Sequence, residues 1–248
     1  MLHRCAFTLL AIVLCAEPSA APSVPSNIHA ATIERDPFGF RDATGNAQGI
    51  SVDVYRLVAT RLGRPLNVEF AQVDQIIDGI LAARIDIAVM FPHPELANAA
   101  IAVGPVIDVQ TGVLTRTRMA RYEDLSRLRI GYVDATPFDE RFEADTTLTK
   151  IAFADAVAAF RAYEDGSIDA IAGPLQYLYY QAPQYAARKG ELFQVLALSD
   201  REMWLYVRTA AFTDAERLAI AGAVDEMIEA NMIEGFSEHY LGSRVGPP

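Results

Sequence analysis

Short apolar runs alternate with amphipathic segments along this chain, as they do in proteins that alternate strands with helices. One run, at residues 86–90, reads Asp-Ile-Ala-Val-Met, and a near-copy, Asp-Ala-Ile-Ala-Gly, occurs at residues 169–173. An amphipathic segment that begins at an aspartate precedes each run, at residues 74–85 and 155–168, and leads into it through an Ile-Asp step. Continuous apolar runs are typical of parallel strands that are buried on both faces. The repeat therefore predicts two similar α/β lobes.

Apolar spacing and turn residues predict the other elements of this scheme. Predicted strands lie at residues 28–33, 68–70, 86–91, 129–133, 151–153 and 168–172. Predicted helices begin at Ser51, Asp74, Thr136 and Ala156, and two more lie at residues 213–230 and 233–240. We assign Ser51 and Asp74 as N-caps, because their side chains can accept a hydrogen bond from a helix N-terminus.

Two β-rich segments, at residues 109–117 and 203–209, fall between the predicted lobes. If both cross from one lobe to the other, the hinge is double. Two lobes joined in this way enclose a cleft, and ligands of open α/β sheets bind at the carboxyl ends of the strands. We therefore predict a two-lobed α/β fold with a double-stranded hinge.

The N-terminal residues 1–21 have the pattern of a secretory signal peptide. A short basic start leads into an apolar run at residues 5–16, which small residues suited to cleavage follow. The run is too short for a membrane span, which needs roughly 20 residues, although an uncleaved anchor is the alternative. Both cysteines, Cys5 and Cys15, fall in this segment, so we expect a mature chain without thiols. Lipidation of Cys15 is a minor alternative, because Leu14 stands where a small residue is needed.

Composition and charge exclude several classes of function. With 52% hydrophobic and 21% charged residues, the chain is an ordinary globular protein. Its formal net charge of -11 disfavours nucleic acid and anionic membrane surfaces as partners. We expect neither enzymatic activity nor a cofactor or metal, because the histidines of the mature chain show no metal-pair spacing and no nucleophile or phosphate-loop motif is present.

Several short motifs follow one another along the chain in a characteristic order. They are Pro37-Phe38-Gly39-Phe40, Gly49-Ile50-Ser51-Val52-Asp53-Val54, Ile85-Asp86, Pro94-Glu95, Gly104-Pro105, Glu123-Asp124-Leu125, Arg129-Ile130-Gly131-Tyr132-Val133 and Ile168-Asp169-Ala170. In this order the chain resembles the periplasmic solute-binding proteins of polar amino-acid ABC transporters. The resemblance covers nearly the whole mature chain.

This resemblance implies a type II periplasmic-binding-protein fold and a way of working. Lobe 1 would comprise residues 22–110 and 206–248, and lobe 2 residues 111–205. The lobes would close about the hinge on a small-molecule ligand and present the closed form to an ABC permease. We expect a periplasmic protein and a monomer.

Three contacts of the family pattern for binding amino acids are missing, namely those to the ligand carboxylate, to its amine and to an aromatic platform. Members hold the ligand carboxylate with a Ser/Thr-rich loop and with an arginine after the Pro-Glu pair, whereas here the loop reads Met-Phe-Pro-His at residues 90–93 and Leu96 follows the pair. The usual aspartate for the ligand amine is replaced by Gly173-Pro174, and the aromatic platform aligns with Val73. We therefore predict a ligand that is not a standard zwitterionic amino acid, or a protein that no longer serves amino-acid uptake.

Loop position after the strands selects the candidate ligand-binding residues. They are Arg35, Phe38, Phe91, His93, Thr136 and Tyr177. Arg35 either holds an anion or is a solvated loop charge, and His93 is either a ligand contact or an ordinary surface residue. Thr136 resembles the family's hydroxyl at a helix start, where free N–H groups favour a polar or anionic group. Of the tyrosines that follow Pro174, most should pack the lobe and one could reach the cleft.

Two other functions remain open. One branch of the family accompanies periplasmic quinoprotein alcohol dehydrogenases as an accessory protein, and its apolar-Pro loop and Gly-Pro-Leu segment resemble residues 90–92 and 173–175 here. The chain would then be an accessory or sensor protein. The fold also hosts periplasmic dehydratases, but such an enzyme needs a cation for its substrate carboxylates, and Leu96 argues against it.

Overall fold

A computed structural model describes residues 26–133, 139–189 and 193–241, and it confirms the predicted two-lobed α/β class. The strands are β1 (Ile28–Thr32), β2 (Phe40–Arg41), β3 (Ala47–Gln48), β4 (Leu66–Phe70), β5 (Ile87–Met90), β6 (Ala100–Thr115), β7 (Arg129–Val133), β8 (Thr149–Phe153), β9 (Ala170–Pro174) and β10 (Gln194–Arg208). The helices are α1 (Ile50–Leu62), α2 (Val73–Leu81), α3 (Glu140–Ala144), α4 (Ala156–Asp165), α5 (Leu175–Lys189), α6 (Asp214–Glu229) and α7 (Met232–Leu241).

Eight strands form one sheet in the order β4-β1-β5-β10-β6-β9-β7-β8. Each end of this order is a parallel trio whose middle strand, β1 or β7, pairs with both of its neighbours. The two long strands β6 and β10 run antiparallel between the trios. They overlap the two predicted crossings at residues 109–117 and 203–209 but begin about nine residues earlier, so the double-stranded hinge is longer than the sequence indicated.

The parallel strands are buried on both faces, as their apolar runs predict. In β5, Ile87 and Val89 pack in the core cluster that includes α1, whereas Ala88 and Met90 pack on the opposite face with residues of α2. All four residues are buried. Successive residues of this strand therefore point alternately into the two cores, one on each face of the sheet.

In each lobe, the aspartate of the repeated Ile-Asp step joins two neighbouring strands of the sheet. Asp86 accepts a hydrogen bond from the backbone N–H of His29 (2.9 Å) and forms an ion pair with Arg208 (2.6 Å). In the other lobe, Asp169 accepts from the backbone N–H of Arg129 (2.9 Å) and pairs with the guanidinium of the same residue (2.8 Å). Each aspartate thus ties the strand that follows it to the middle strand of its trio.

Two predicted helix caps are wrong. The cap of α1 is Gly49, and Ser51 lies buried inside the first turn, because the backbone N–H groups at this helix start donate to the carbonyls of Pro37 and Phe38. Gly49 has φ 121°, and a side chain there would collide with the Phe38 backbone. In α2 the cap is Gln72, whose N–H donates to the Gln75 side chain (3.0 Å), while Asp74 lies in the first turn.

Two other predicted helices have different outcomes. The start predicted at Thr136 lies within residues 134–138, outside the described part of the chain. The next helix, α3, begins after Asp139, whose side chain accepts from the N–H of Phe142 (2.8 Å). The helix predicted at residues 213–230 is present as α6, and a capping box between Thr213 and Glu216 stabilises its start.

The hydroxyl of Tyr55 is a polar bridge inside the core of the first lobe. It donates to the carbonyl of Ala31 (2.8 Å) in β1 and accepts from the N–H of Val89 (2.7 Å) in β5. The side chain is fully buried, and this burial raises the pKa of its phenol. Because neither backbone group is exposed to water, the hydroxyl joins the carboxyl ends of two neighbouring strands.

Replacing this bridge should be costly. We expect Tyr55→Phe to lower the free energy of unfolding by about 1–3 kcal/mol, because it leaves a buried N–H and a buried carbonyl without a partner. Urea denaturation measures the change. Tyr122→Phe is the matched control, since its hydroxyl interacts with the Arg141 carbonyl and the Asp145 side chain at an exposed site, and it should stay within about 0.5 kcal/mol of wild type. Equal stabilities for the two variants would contradict the bridge.

The ion pair of the second lobe predicts a pH dependence. Hydrogen bonds from the Arg129 side chain and backbone lower the pKa of Asp169 from 3.8 to about 2. A carboxyl whose folded-state pKa is depressed stabilises the protein above its unfolded-state pKa, and this stabilisation is lost as the pH falls through the folded-state value. The gap in unfolding free energy between wild type and Asp169→Asn should therefore narrow between about pH 4 and pH 2. Urea denaturation across this range tests it, and a constant gap would contradict the assignment.

Candidate functional site

A cavity of about 260 Å³ lies at the carboxyl ends of the parallel strands, where the sequence predicts the cleft. The segments that follow β1 and β5 line it, together with the last residue of β9, the start of α2 and part of the hinge. The lining residues are Ile33, Arg35, Phe38, Val73, Asp74, Ile76, Val89, Met90, Phe91, Pro92, His93, Val109, Pro174, Arg201 and Met203. Apolar side chains therefore form most of the wall.

Four of the six candidate residues come together in this cavity, namely Arg35, Phe38, Phe91 and His93. A fifth, Tyr177 of α5, is largely buried and packs beside the cavity, with its ring centroid 5.3 Å from the Arg35 guanidinium carbon. The sixth, Thr136, lies outside the described residues. The candidates from the two lobes thus meet through the contact between Arg35 and Tyr177.

Arg35 is the half-buried cation of the first-lobe loop. Its backbone is fixed by a bridge to Gly39, in which the Arg35 N–H donates to the Gly39 carbonyl (2.7 Å). Burial lowers the pKa of its guanidinium, but an arginine stays protonated in proteins. Within the described part of the chain, this guanidinium forms no ion pair with a carboxylate and donates no hydrogen bond. The Tyr177 ring, which is buried with it, stabilises the charge.

The sequence did not indicate a second cavity cation, Arg201. It lies on β10 opposite Val109 of β6, and its guanidinium carbon is 4.2 Å from the centroid of the Phe91 ring. Residues opposite each other in an antiparallel pair share a face, and Met203, two residues further on, lines the cavity as well. The alternation of side chains between the two faces of β10 would identify Arg201 as a cavity residue, but only once the pairing of β10 with β6 is known.

The intervening hinge residues point to the opposite face. Asp108 and Glu202 are register partners, and both line a separate cavity of about 450 Å³. The hinge therefore carries arginine on the face toward the first cavity and carboxylates on the other.

His93 combines a cavity position with an unused polar atom. Its backbone N–H donates to the Tyr206 hydroxyl (3.2 Å), which holds the loop after β5 against β10. The Nδ1 atom is buried and makes no hydrogen bond to any residue that the structure describes.

The positions that depart from the family pattern have distinct surroundings. Leu96 is fully buried in the core cluster on the α2 side of the first lobe and does not line the cavity. Val73 and Pro174 do line it, and both contribute apolar surface. At these three positions the chain presents aliphatic side chains, none of which can form a hydrogen bond.

Aromatic contacts also join β2 to α5 and α7. The Phe40 ring lies 6.3 Å from the Tyr180 ring and 5.7 Å from the Tyr240 ring, centroid to centroid. In the loop between β1 and β2, burial and the nearby charge of Glu34 raise the pKa of Asp36. Phe40 thus packs between elements and does not line the cavity.

Neither a metal site nor a membrane-spanning helix is present among the residues that the structure describes. Within residues 26–133, 139–189 and 193–241, no three His, Cys, Asp or Glu side chains cluster closely enough to hold a metal ion. Across those same segments, no helix has the length and apolar character needed to cross a bilayer.

Comparison with known proteins supplies the family. None of the curated protein sequences matches this chain. The fold is similar to that of an ancestral cationic amino-acid solute-binding protein (TM-score 0.71, 17% identity, 87% of this chain and 95% of that one). It is also similar to an L-cysteine solute receptor of Neisseria gonorrhoeae (0.68, 20%, 89% and 93%) and to a mutant arginine-binding protein from T. maritima (0.66, 20%, 88% and 96%). At these identities the likeness is one of fold. The family model of the bacterial extracellular solute-binding proteins, family 3, matches residues 28–243, and the chain belongs to that family.

Proposed function

We propose that this protein captures a small polar or organic-acid solute in the periplasm for an ABC importer. The observation that carries the proposal is the cavity, which the loops after β1 and β5, the end of β9 and both hinge strands line together. A ligand that contacts elements on both sides of a hinge stabilises the closed arrangement over the open one. Capture would therefore proceed by rotation about β6 and β10, without covalent chemistry.

The division into lobes is part of this proposal. Lobe 1 would comprise residues 22–110 and 206–248, and lobe 2 residues 111–205. Both boundaries fall within or beside β6 and β10, where the parallel trios are attached. The family, whose members are extracellular solute-binding proteins, supports a periplasmic location and an ABC permease as partner. The proposal also takes the protein to be a monomer.

The ligand is not a standard α-amino acid in this proposal. A zwitterion needs a cation for its carboxylate and an acceptor for its ammonium. At the position that resembles the family's carboxylate contact, Leu96 is buried in the core and has no charge. At the position that resembles the ammonium contact, Gly173 and Pro174 have no side-chain acceptor. Removing one partner of a desolvated ion pair costs about 3–5 kcal/mol, so an amino acid held in the family's usual pose would bind poorly.

A thermal-shift screen with fluorescence tests solute capture in this cavity. The panel contains amino acids, dicarboxylates, sugars, polyamines, aromatic acids and small alcohols. A ligand at a hundredfold excess over its Kd stabilises the protein by about 2.7 kcal/mol, which raises Tm by roughly 5–10 °C in a chain of this size. Trp204 is the single tryptophan and pairs with Met90, which lines the cavity, so the same ligand should change its emission.

The control is Trp204→Phe, which should lose the emission signal and keep the thermal shift. A thermal shift without any change in Trp204 emission would place the ligand elsewhere. A shift with an ordinary amino acid would overturn the interpretation of Leu96 and Gly173. If no compound shifts Tm and the protein co-purifies with a periplasmic dehydrogenase, the accessory role replaces solute capture.

A further inference from the structure

The chemistry of the cavity narrows the class of ligand, on the basis of the proposed capture function. Two guanidiniums line it, and each lies against an aromatic ring, Arg35 on Tyr177 and Arg201 on Phe91. Stacking on a ring fixes the plane of the Arg35 guanidinium and leaves the N–H groups at its edge able to bind a carboxylate in a fork. Arg35 therefore forms a site for an anionic group, and Arg201 adds positive charge to the lining.

Charge within the cavity favours a single negative charge on the ligand. Arg35 is a half-buried guanidinium with no carboxylate partner among the described residues, and one negative charge on the ligand would compensate it. The other charged residues of the described lining are Arg201 and Asp74, and Asp74 is exposed in the first turn of α2.

The rest of the wall calls for an apolar body. Aliphatic, aromatic and methionine side chains dominate it, and many of them are buried, for example Phe38, Val89, Met90 and Met203. A sugar or another polyhydroxylated ligand would leave hydroxyl groups against these walls without partners, which costs about 1–3 kcal/mol for each group.

Volume sets the size of that body. A cavity of about 150 Å³ accommodates one benzene molecule. The cavity here, at about 260 Å³, has room for a ring of this size together with a carboxylate.

We propose that the cavity selects a monocarboxylate with a compact apolar body of about one ring, whose carboxylate binds Arg35 with Arg201 as the second cation. Aromatic and alicyclic carboxylates belong to this class. Selectivity then comes from the pairing of an arginine fork with an apolar wall, and not from recognition of an α-amino group.

Isothermal titration calorimetry on the purified protein tests the class directly. The probes are benzoate, cyclohexanecarboxylate, acetate and benzamide, the last being a neutral analogue of benzoate with nearly the same shape. We expect both ring carboxylates to bind, acetate to bind more weakly because it lacks the apolar body, and benzamide to bind at least about tenfold more weakly than benzoate, since it lacks the charge.

Variants then assign the contacts. Arg35→Met and Arg201→Met should each weaken benzoate binding by roughly ten- to a hundredfold, with the larger loss at Arg35, and should leave benzamide binding nearly unchanged. Arg84→Met is the matched control, because it removes the same charge from an exposed site outside the cavity and should bind benzoate like wild type. Circular dichroism and the Tm of each variant without ligand show whether it is folded. The comparison of benzoate with benzamide uses the wild-type protein, so it tests the role of charge even if a variant does not fold.

The outcomes separate this inference from the capture function. Binding of a sugar, polyamine or amino acid without any binding of ring carboxylates would overturn the ligand class and leave capture standing. Equal affinity for benzoate and benzamide, or benzoate binding that neither Arg35→Met nor Arg201→Met weakens, would overturn the role of the arginines. Silence toward these probes and toward the whole thermal-shift panel would contradict both.

Discussion

Antiparallel pairing between β6 and β10 is the constraint on which both the fold and the cavity depend. The register runs from the pair Gln194–Thr115 to the pair Arg208–Ala100, through the whole middle of the sheet. The first parallel trio attaches to β10 and the second to β6, so each trio is held by a different hinge strand. A slip of one residue in β10 would turn Arg201 and Met203 away from the cavity and bring Glu202 into it. The hinge register therefore decides the charge of the site.

Local pattern predicted those features that depend on neighbours in sequence. The apolar runs located β5 and β9, and the rule that loops after parallel strands form the cleft brought Arg35, Phe38, Phe91 and His93 to one cavity. Arg201 was missed because the face of a hinge residue depends on pairing with a strand about ninety residues away. The cap of α1 was predicted wrongly for a similar reason. The carbonyl of Phe38, which is remote from Ser51 in sequence, accepts the N–H of Ser51 itself, and no local rule anticipates this bond.

The cavity and the protein surface have opposite charge. The chain carries a formal charge of -11, while two arginines and one aspartate line the cavity. At physiological ionic strength, fields from surface carboxylates are screened over about 8 Å, whereas the buried guanidinium of Arg35 acts at contact distance in a medium of lower dielectric constant. The surface charge therefore indicates little about which ligand the site binds. Net charge can exclude nucleic acid as a partner and still mislead about a small anion.

The order of the strands along the chain gives the two trios unequal histories during synthesis. β7, β8 and β9 all lie between residues 129 and 174, so the second trio is complete as soon as that stretch has emerged. β5 ends at Met90, but β10, its neighbour on the side away from β1, begins more than a hundred residues later, at Gln194. Until then the edge of β5 presents unpaired N–H and C=O groups, a template for pairing with another chain. The open edge of the first trio is thus covered only by β10, which is made late in synthesis. A nascent chain of this protein is therefore most exposed to misassociation when most of it has already been made.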